Sequence, residues 1–143
     1  MTINDYLIYP ARFVSEDVGG YSVFVRHELG EWCTQGDTFE QAKEMALSLI
    51  IDCANFVAGK EPIPKACEPQ EGDVQIFVPM DLALKFMLRN AMLEERWRVS
   101  DLAHKMNCTP QRLFKVVDFG RASKLELLAQ VFEAIGRPLK IEC

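Results

Sequence analysis

The sequence lacks most of the patterns that mark metalloproteins and enzymes. Its 143 residues include five cysteines, but no two of them form a Cys-x-x-Cys pair. A zinc site or a disulfide framework needs closer, paired cysteines. The two histidines, His27 and His104, are far apart and have no evident ligand partners. These absences predict a protein with no bound metal, no cofactor and no catalytic residue set.

Long hydrophobic runs are also missing. About 20 consecutive apolar residues are needed to span a bilayer, and no run approaches that length. Residues 1–5 lack the basic flank and apolar core of a signal peptide, which predicts a cytoplasmic protein. Hydrophobic residues nevertheless make up 49% of the chain, enough for the core of one medium domain or two small ones.

Charge is distributed unevenly along the chain. Residues 1–79 carry 13 acidic and 5 basic side chains, whereas residues 80–143 carry 8 acidic and 11 basic ones. The acidic half repels phosphates and attracts a basic protein, while the basic half tolerates phosphates. The asymmetry favours two modules with different partners, although surface charge that is simply spread unevenly gives the same counts.

Strand-like segments dominate the beginning of the chain. Residues 6–14 and 21–27 are rich in β-branched and aromatic side chains and predict a hairpin, with a short third strand at 31–34. Pro10 has no backbone N–H, so we expect the first strand at a sheet edge or at a bend. Residues 74–78 predict a further strand.

Two long helices are predicted around the last of these strands. The first begins at a capping box formed by Thr38 and Gln41, continues with apolar residues at helical spacing, and stops near Gly59. The second covers residues 80–97, where so many positions are apolar that we expect burial on more than one side.

Shorter helices are predicted in the last third. Thr109 suits an N-cap and Pro110 the first position of a helix that follows a turn at 107–108. After a connector, Ser123 and Glu126 fit another capping box. Gly136 then ends the helix.

This pattern of apolar positions, turn and cap resembles the repressor-type helix-turn-helix of the Xre/Cro class. Such a module presents the N-terminal part of its second helix to the major groove, and the connector supplies phosphate contacts. Val99 differs from the glutamine that the class often carries, and a three-helix bundle without a DNA role shares the same apolar spacing. The candidate DNA-binding residues are Thr109, Gln111, Arg112, Lys115, Arg121 and Lys124.

The first half carries a second resemblance. It rests on residue types, order and spacing in the following segments: Gly19-Gly20-Tyr21-Ser22-Val23, Leu29-Gly30, Thr34-Gln35-Gly36-Asp37-Thr38, Gln41-Ala42 and Ala46. These segments resemble the HicB antitoxin family of type II toxin–antitoxin systems, many members of which carry a DNA-binding module after this domain. The segment 26–31 departs from the proline-flanked loop that is frequent in the family.

The resemblance implies an α+β fold and a partner. A small antiparallel sheet with a packed helix, a partial RNase H-like fold, is expected in a toxin-binding domain at 1–79, followed by an all-α helix-turn-helix domain at 80–143. The expected partners are a small basic HicA-like ribonuclease toxin and double-stranded operator DNA. Candidate toxin contacts, chosen as aromatic or acidic residues near the hairpin, are Tyr21, Glu28, Glu31 and Trp32.

Three functions remain open on this basis. The leading hypothesis is an antitoxin that neutralises the toxin, represses its own operon, and forms a homodimer or homotetramer. Alternatives are a stand-alone regulator whose first domain senses a ligand or a protein, and an interaction module that does not bind DNA. A nuclease would need several converging carboxylates, for which Asp5, Asp37, Glu40 and Asp52 are available. Asp37 and Glu40, however, are explained by their places in a turn and in the first turn of a helix.

Overall fold

A computed structural model describes residues 2–139. In chain order, its elements are α1 (Asn4–Leu7), β1 (Ile8–Ser15), β2 (Tyr21–His27), β3 (Gly30–Gly36), α2 (Phe39–Val57), β4 (Val74–Phe77), α3 (Met80–Glu94), α4 (Val99–Lys105), α5 (Pro110–Val117) and α6 (Leu125–Ala134). An antiparallel sheet with helices confirms the predicted α+β class. Among the described helices, none has the length and apolar content to cross a membrane.

The described residues divide into two compact units. The first contains residues 2–56 and 64–80, and therefore holds the whole sheet and nearly all of α2. The second contains residues 57–63 and 81–139, and holds the helices from α3 to α6 apart from the first residue of α3.

The sheet has the strand order β3-β2-β1-β4, with every neighbouring pair antiparallel. The predicted strands are present, but the expectation that the first one is an edge strand is wrong, since β1 lies between β2 and β4. Pro10 pairs with Gln75 of β4, and the pairing with β2 begins only at Ala11. The hydrogen bonds between β1 and β2 therefore need no N–H donor at Pro10. Tyr6 and Leu7 belong to α1 rather than to the strand.

The capping box of α2 is confirmed, with one difference. The Thr38 hydroxyl oxygen accepts the N–H of Gln41 at 3.1 Å, and the Gln41 side-chain oxygen accepts the N–H of Asp37 at 2.6 Å. The glutamine thus reaches one residue further back than in the usual box. Gly59, with a φ of 80°, lies just past the helix end, as predicted.

The buried side of α2 is built from small residues. Ala42, Ala46 and Ala54 are fully buried, as is Ile50. At the start of the helix, the Phe39 ring lies 5.1 Å from Phe13 of β1 and 5.8 Å from Tyr21 of β2. Phe13 and Tyr21 belong to the same sheet face, because Phe13 pairs with Val23 and side chains alternate along β2. The first turn of α2 therefore packs on this face of the sheet.

In the second unit, α3 is buried over ten of its fifteen residues, which confirms the expected burial on more than one side. The helix ends at Glu94, three residues before the predicted end, and Arg96 adopts a positive φ of 60°. Asn90 holds the chain at Ile63: its side-chain oxygen accepts the Ile63 N–H at 2.7 Å and its amide donates to the Ile63 carbonyl at 2.9 Å.

Candidate functional site

The two helices α4 and α5 are joined by a tight turn. The Cys108 N–H donates to the Ala103 carbonyl at 3.0 Å, and Asn107 has a positive φ of 55° that closes the turn. The Thr109 hydroxyl oxygen then accepts the N–H of Arg112 at 3.1 Å, which confirms the predicted N-cap, with Pro110 at the first helical position. The start of α5 is therefore fixed by residues next to it in sequence.

The exposed side of α5 carries three of the six predicted DNA contacts. Leu113 and Val117 are buried, whereas Gln111, Arg112 and Lys115 are exposed. The buried pair, four residues apart, turns one side of the helix inward and leaves the polar side free. The sequence prediction missed Phe114, which is 55% exposed beside these polar residues.

A connector, residues 118–124, leads from α5 to α6. The predicted capping box at Ser123 is wrong: the Ser123 hydroxyl donates to the Val116 carbonyl at 2.8 Å, and the N-cap position belongs to Lys124, whose side chain makes no capping bond. Ser123 therefore ties the connector back to α5 instead of starting α6. The Arg121 guanidinium lies 3.6 Å from the Asp118 carboxylate but stays 60% exposed, so this pair holds it only weakly.

An open groove of about 560 Å³ lies between the connector and its flanking helices. It is lined by Lys115, Val116, Arg121, Ala122, Ser123, Lys124, Glu126, Leu127 and Gln130. Three of the candidate DNA-binding residues, Lys115, Arg121 and Lys124, thus line one groove with a single carboxylate, Glu126. Three cations outnumber Glu126 and the Asp118 carboxylate beside Arg121, and this excess of positive charge favours an anionic ligand there.

Two residues of α3 contact the connector. Lys85 is fully buried, and its ammonium donates to the carbonyl of Asp118 at 2.7 Å and to that of Arg121. The Phe86 ring packs edge-on against Phe119, with centroids 5.0 Å apart. Burial lowers the pKa of Lys85, and the Asp81 and Asp118 carboxylates oppose that shift. The sequence prediction missed Lys85, although a lysine inside the apolar run 82–88 is a visible signal.

The end of the β2–β3 hairpin carries most of the candidate toxin contacts. The Trp32 ring lies 4.2 Å from His27 and 6.0 Å from Tyr9. The Glu28 carboxylate accepts the Lys65 N–H at 3.1 Å, and the Glu28 N–H donates to the Lys65 carbonyl at 2.9 Å. Glu28 therefore secures the hairpin end to the loop that precedes β4.

The four candidate toxin contacts do not form one patch. Glu31 and Trp32 are consecutive in β3, so their side chains face opposite sides of the sheet. Tyr21 begins β2 and His27 ends it, which puts Tyr21 about 20 Å from the hairpin end at the usual rise per strand residue. The structure brings Glu28, Glu31 and Trp32 to one end of the sheet and leaves Tyr21 at the other, next to Phe39.

His27 has an unusual environment at this hairpin end. Its Nδ1 accepts the N–H of Leu29 at 3.1 Å, which requires an unprotonated Nδ1. Among the described residues, none gives buried Nε2 a hydrogen-bond partner. Burial lowers the pKa of His27, against the opposing effect of the Glu28 and Glu31 carboxylates. The neutral imidazole is therefore the form that fits this site.

Within residues 2–139, His, Cys, Asp and Glu side chains form no group of three or more that could hold a metal ion. Of the carboxylates weighed for catalysis, Asp37 and Glu40 lie at the start of α2, and Asp5 is 3.8 Å from the Lys65 ammonium. The backbone N–H of Asp37 takes part in the capping of α2, Glu40 lies in its first turn, and Asp5 has an ion-pair partner.

Comparison with known proteins identifies relatives of this chain. Residues 8–87 match the family described as the HicB-like antitoxin of bacterial toxin–antitoxin systems. The chain is 31% identical to Antitoxin HicB 1 of Photorhabdus laumondii over 136 residues, covering 93% of this chain and 84% of that protein. It is 28% identical to Antitoxin HicB of Escherichia coli K12 over 135 residues, covering 93% and 96% of the two chains. The chain therefore belongs to the HicB-like antitoxin family.

Proposed function

We propose that this antitoxin neutralises a small, basic, HicA-like ribonuclease toxin in the cytoplasm and represses transcription of its own operon. Residues 1–79 would form the toxin-binding domain and residues 80–143 the DNA-binding domain. The observation that carries the DNA-binding part is the arrangement in the second unit, where α5 exposes Gln111, Arg112 and Lys115 beside a groove lined by further cations.

Operator binding would use these groups in two ways. With the N-terminal part of α5 in the major groove, Arg112 reaches guanine and Gln111 reaches adenine through paired hydrogen bonds. Lys115, Arg121 and Lys124 contact phosphates, which fix the orientation without reading sequence. Helix-turn-helix proteins commonly read two half-sites, so the binding species would be a homodimer or homotetramer.

Toxin neutralisation would rest on the acidic first half. A ribonuclease surface that holds RNA is basic, and the acidic excess of residues 1–79 complements it. Glu28, Glu31 and Trp32 are the candidate contacts at the hairpin end, with Glu31 and Trp32 on opposite faces of the sheet. Tyr21 would act separately. By covering the RNA-facing surface, the antitoxin excludes the mRNA substrate from the toxin.

The test is co-expression with a small, basic, HicA-like ribonuclease toxin. We expect the two proteins to co-purify and growth to be restored in cells that express the toxin. Failure of both would remove the neutralisation role. If operator binding survived that failure, the stand-alone regulator would be the better description.

A further inference from the structure

Lys85 is the one charged residue among the described buried residues of this protein. It lies in α3 within an apolar run, and its side chain is completely inaccessible to solvent. Burying an ammonium is costly unless hydrogen bonds and opposite charges replace its water. An apolar side chain of similar length would avoid that cost. The reason for a buried lysine at this position must therefore lie in the groups that its ammonium binds.

The ammonium holds the connector at two points. It donates to the carbonyls of Asp118 and Arg121, which lie on either side of Phe119 and Gly120. Between them, the Phe119 ring packs on Phe86, the residue that follows Lys85 in α3. The connector is thus bound to α3 by two hydrogen bonds and one ring contact, none of which uses the outward-facing cations.

Two cations of the groove belong to the connector that these attachments hold. Arg121 provides one of the two carbonyls, so its backbone is fixed while its guanidinium stays 60% exposed. Lys124 follows three residues later, at the N-cap of α6, and also lines the groove. Lys115 reaches the same groove from α5 and depends on no contact with Lys85.

We propose that Lys85 is a positioning residue for phosphate binding, whose buried ammonium holds the connector so that Arg121 and Lys124 present their charges to the DNA backbone together with Lys115. The inference rests on the operator-binding role proposed above and adds a residue that touches no DNA. The second unit would then have three separate roles. The helix α5 reaches the bases, the connector contacts phosphates, and Lys85 holds the connector.

The salt dependence of operator binding tests this role. Each phosphate neutralised by a protein cation contributes about −0.9 to the slope of log K against log salt concentration. In K85M, whose apolar side chain has a similar length, the loss of two contacts should reduce the slope by about 1.8 for each bound protomer. The ratio of the operator-binding constants of wild type and K85M should therefore fall by about tenfold for each bound protomer between 50 and 200 mM salt.

Three further variants make the result specific. R121A/K124A should have the same salt slope as K85M. The triple variant K85M/R121A/K124A should show no further reduction of the slope. That result would exclude the lost positive charge of Lys85 itself as the cause of the reduced slope in K85M. N90L removes another buried polar group of α3 and should leave the slope at the wild-type value even where stability falls. K85Q, which keeps donor hydrogens on a shorter side chain, should give an intermediate slope.

The outcomes separate the inference from the function on which it rests. Salt-independent or absent operator binding by the wild-type protein would remove the proposed DNA-binding role, and the inference with it. Salt-dependent binding by wild type with an unchanged slope in K85M would overturn the inference alone. Failure of both K85M and K85Q to fold would also overturn it, because Lys85 would then be a requirement of the fold rather than of cation placement.

Discussion

The Thr109 hydroxyl oxygen accepts the backbone N–H of Arg112 at 3.1 Å, so the N-cap residue of α5 is bonded to a residue proposed to read DNA. We expect Thr109→Ala to lower the free energy of unfolding of the second unit by about 1 kcal/mol, since an N–H at the helix start loses its partner. Urea denaturation followed by Trp97 fluorescence in a Trp32→Phe background measures this. Thr109→Ser keeps the hydroxyl and should retain most of the stability; equal losses in both variants would show that the cap is not the cause.

Arg112 and Lys115 are expected to respond differently to the same assay. Arg112→Ala should weaken binding to the operator by about 1–3 kcal/mol and relax sequence discrimination, because its proposed partner is a base. Lys115→Ala should weaken binding to any duplex and reduce the salt slope by about 0.9. Fluorescence anisotropy with operator and scrambled DNA at several salt concentrations resolves the two effects.

Lys43→Ala is the matched control for these two substitutions, since it removes one positive charge from α2 in the first unit. It should leave both affinity and discrimination unchanged. A loss in Lys43→Ala as large as that in Lys115→Ala would point to net charge rather than to the groove.

His27 should make the first unit sensitive to acid. Its pKa is lowered in the folded chain, so the unfolded chain binds the proton more readily at pH values just below the ordinary value of about 6.5. Stability therefore falls as the pH drops through that value and recovers as it rises. Urea midpoints between pH 5.5 and 7.5, followed by Trp32 fluorescence in a Trp97→Phe background, should show this trend.

The acid sensitivity should disappear in His27→Phe, which keeps an aromatic ring beside Trp32 but cannot be protonated. His104→Gln removes the other histidine, an exposed one in α4, and should leave the trend unchanged. The same pH dependence in wild type and His27→Phe would assign it to another group.

Gly36 should tolerate no side chain. A Cβ at this position would lie 2.5 Å from the Ala42 nitrogen and 2.6 Å from its Cα, which are backbone atoms of α2 and cannot move aside cheaply. Gly36→Ala should therefore cost about 1–3 kcal/mol of the free energy of unfolding of the first unit. Gly120→Ala is the control, because its Cβ would come no closer than 3.7 Å to the Asp118 carboxylate. Equal stability of the two variants in urea denaturation would contradict the close approach of α2 to β3.

Glu31 is expected to affect how fast the proposed toxin partner binds. It is exposed at the hairpin end, and reversing its charge with Glu31→Lys should slow association with the basic toxin several-fold at low salt. Stopped-flow or biosensor kinetics at low and high salt measure the effect, which should shrink as salt screens it. Glu71→Lys makes the same charge change in the loop before β4. Equal slowing by both variants would indicate steering by net charge instead of a contact at the hairpin.

Much of this fold could be predicted from the sequence because its determinants are local. The caps at Thr38 and Thr109 involve residues three apart, and apolar spacing alone indicates the helices and the strands. The predicted capping box at Ser123 is wrong because its outcome depends on a residue outside the local pattern. Its spacing to Glu126 satisfied the pattern, but the Val116 carbonyl, seven residues earlier, offered the hydroxyl a different partner.

The sequence by itself determined the family, the α+β class, the charge asymmetry and the candidate residues on α5. Only the tertiary structure decided that Lys115, Arg121 and Lys124 share a groove and that Tyr21 lies at the other end of the sheet from Glu28. It also decided the hydrogen-bond partners of Lys85, which lie 33 and 36 residues away. Caps and apolar periodicity are read within a few residues, whereas the convergence of side chains depends on how distant segments fold back on one another.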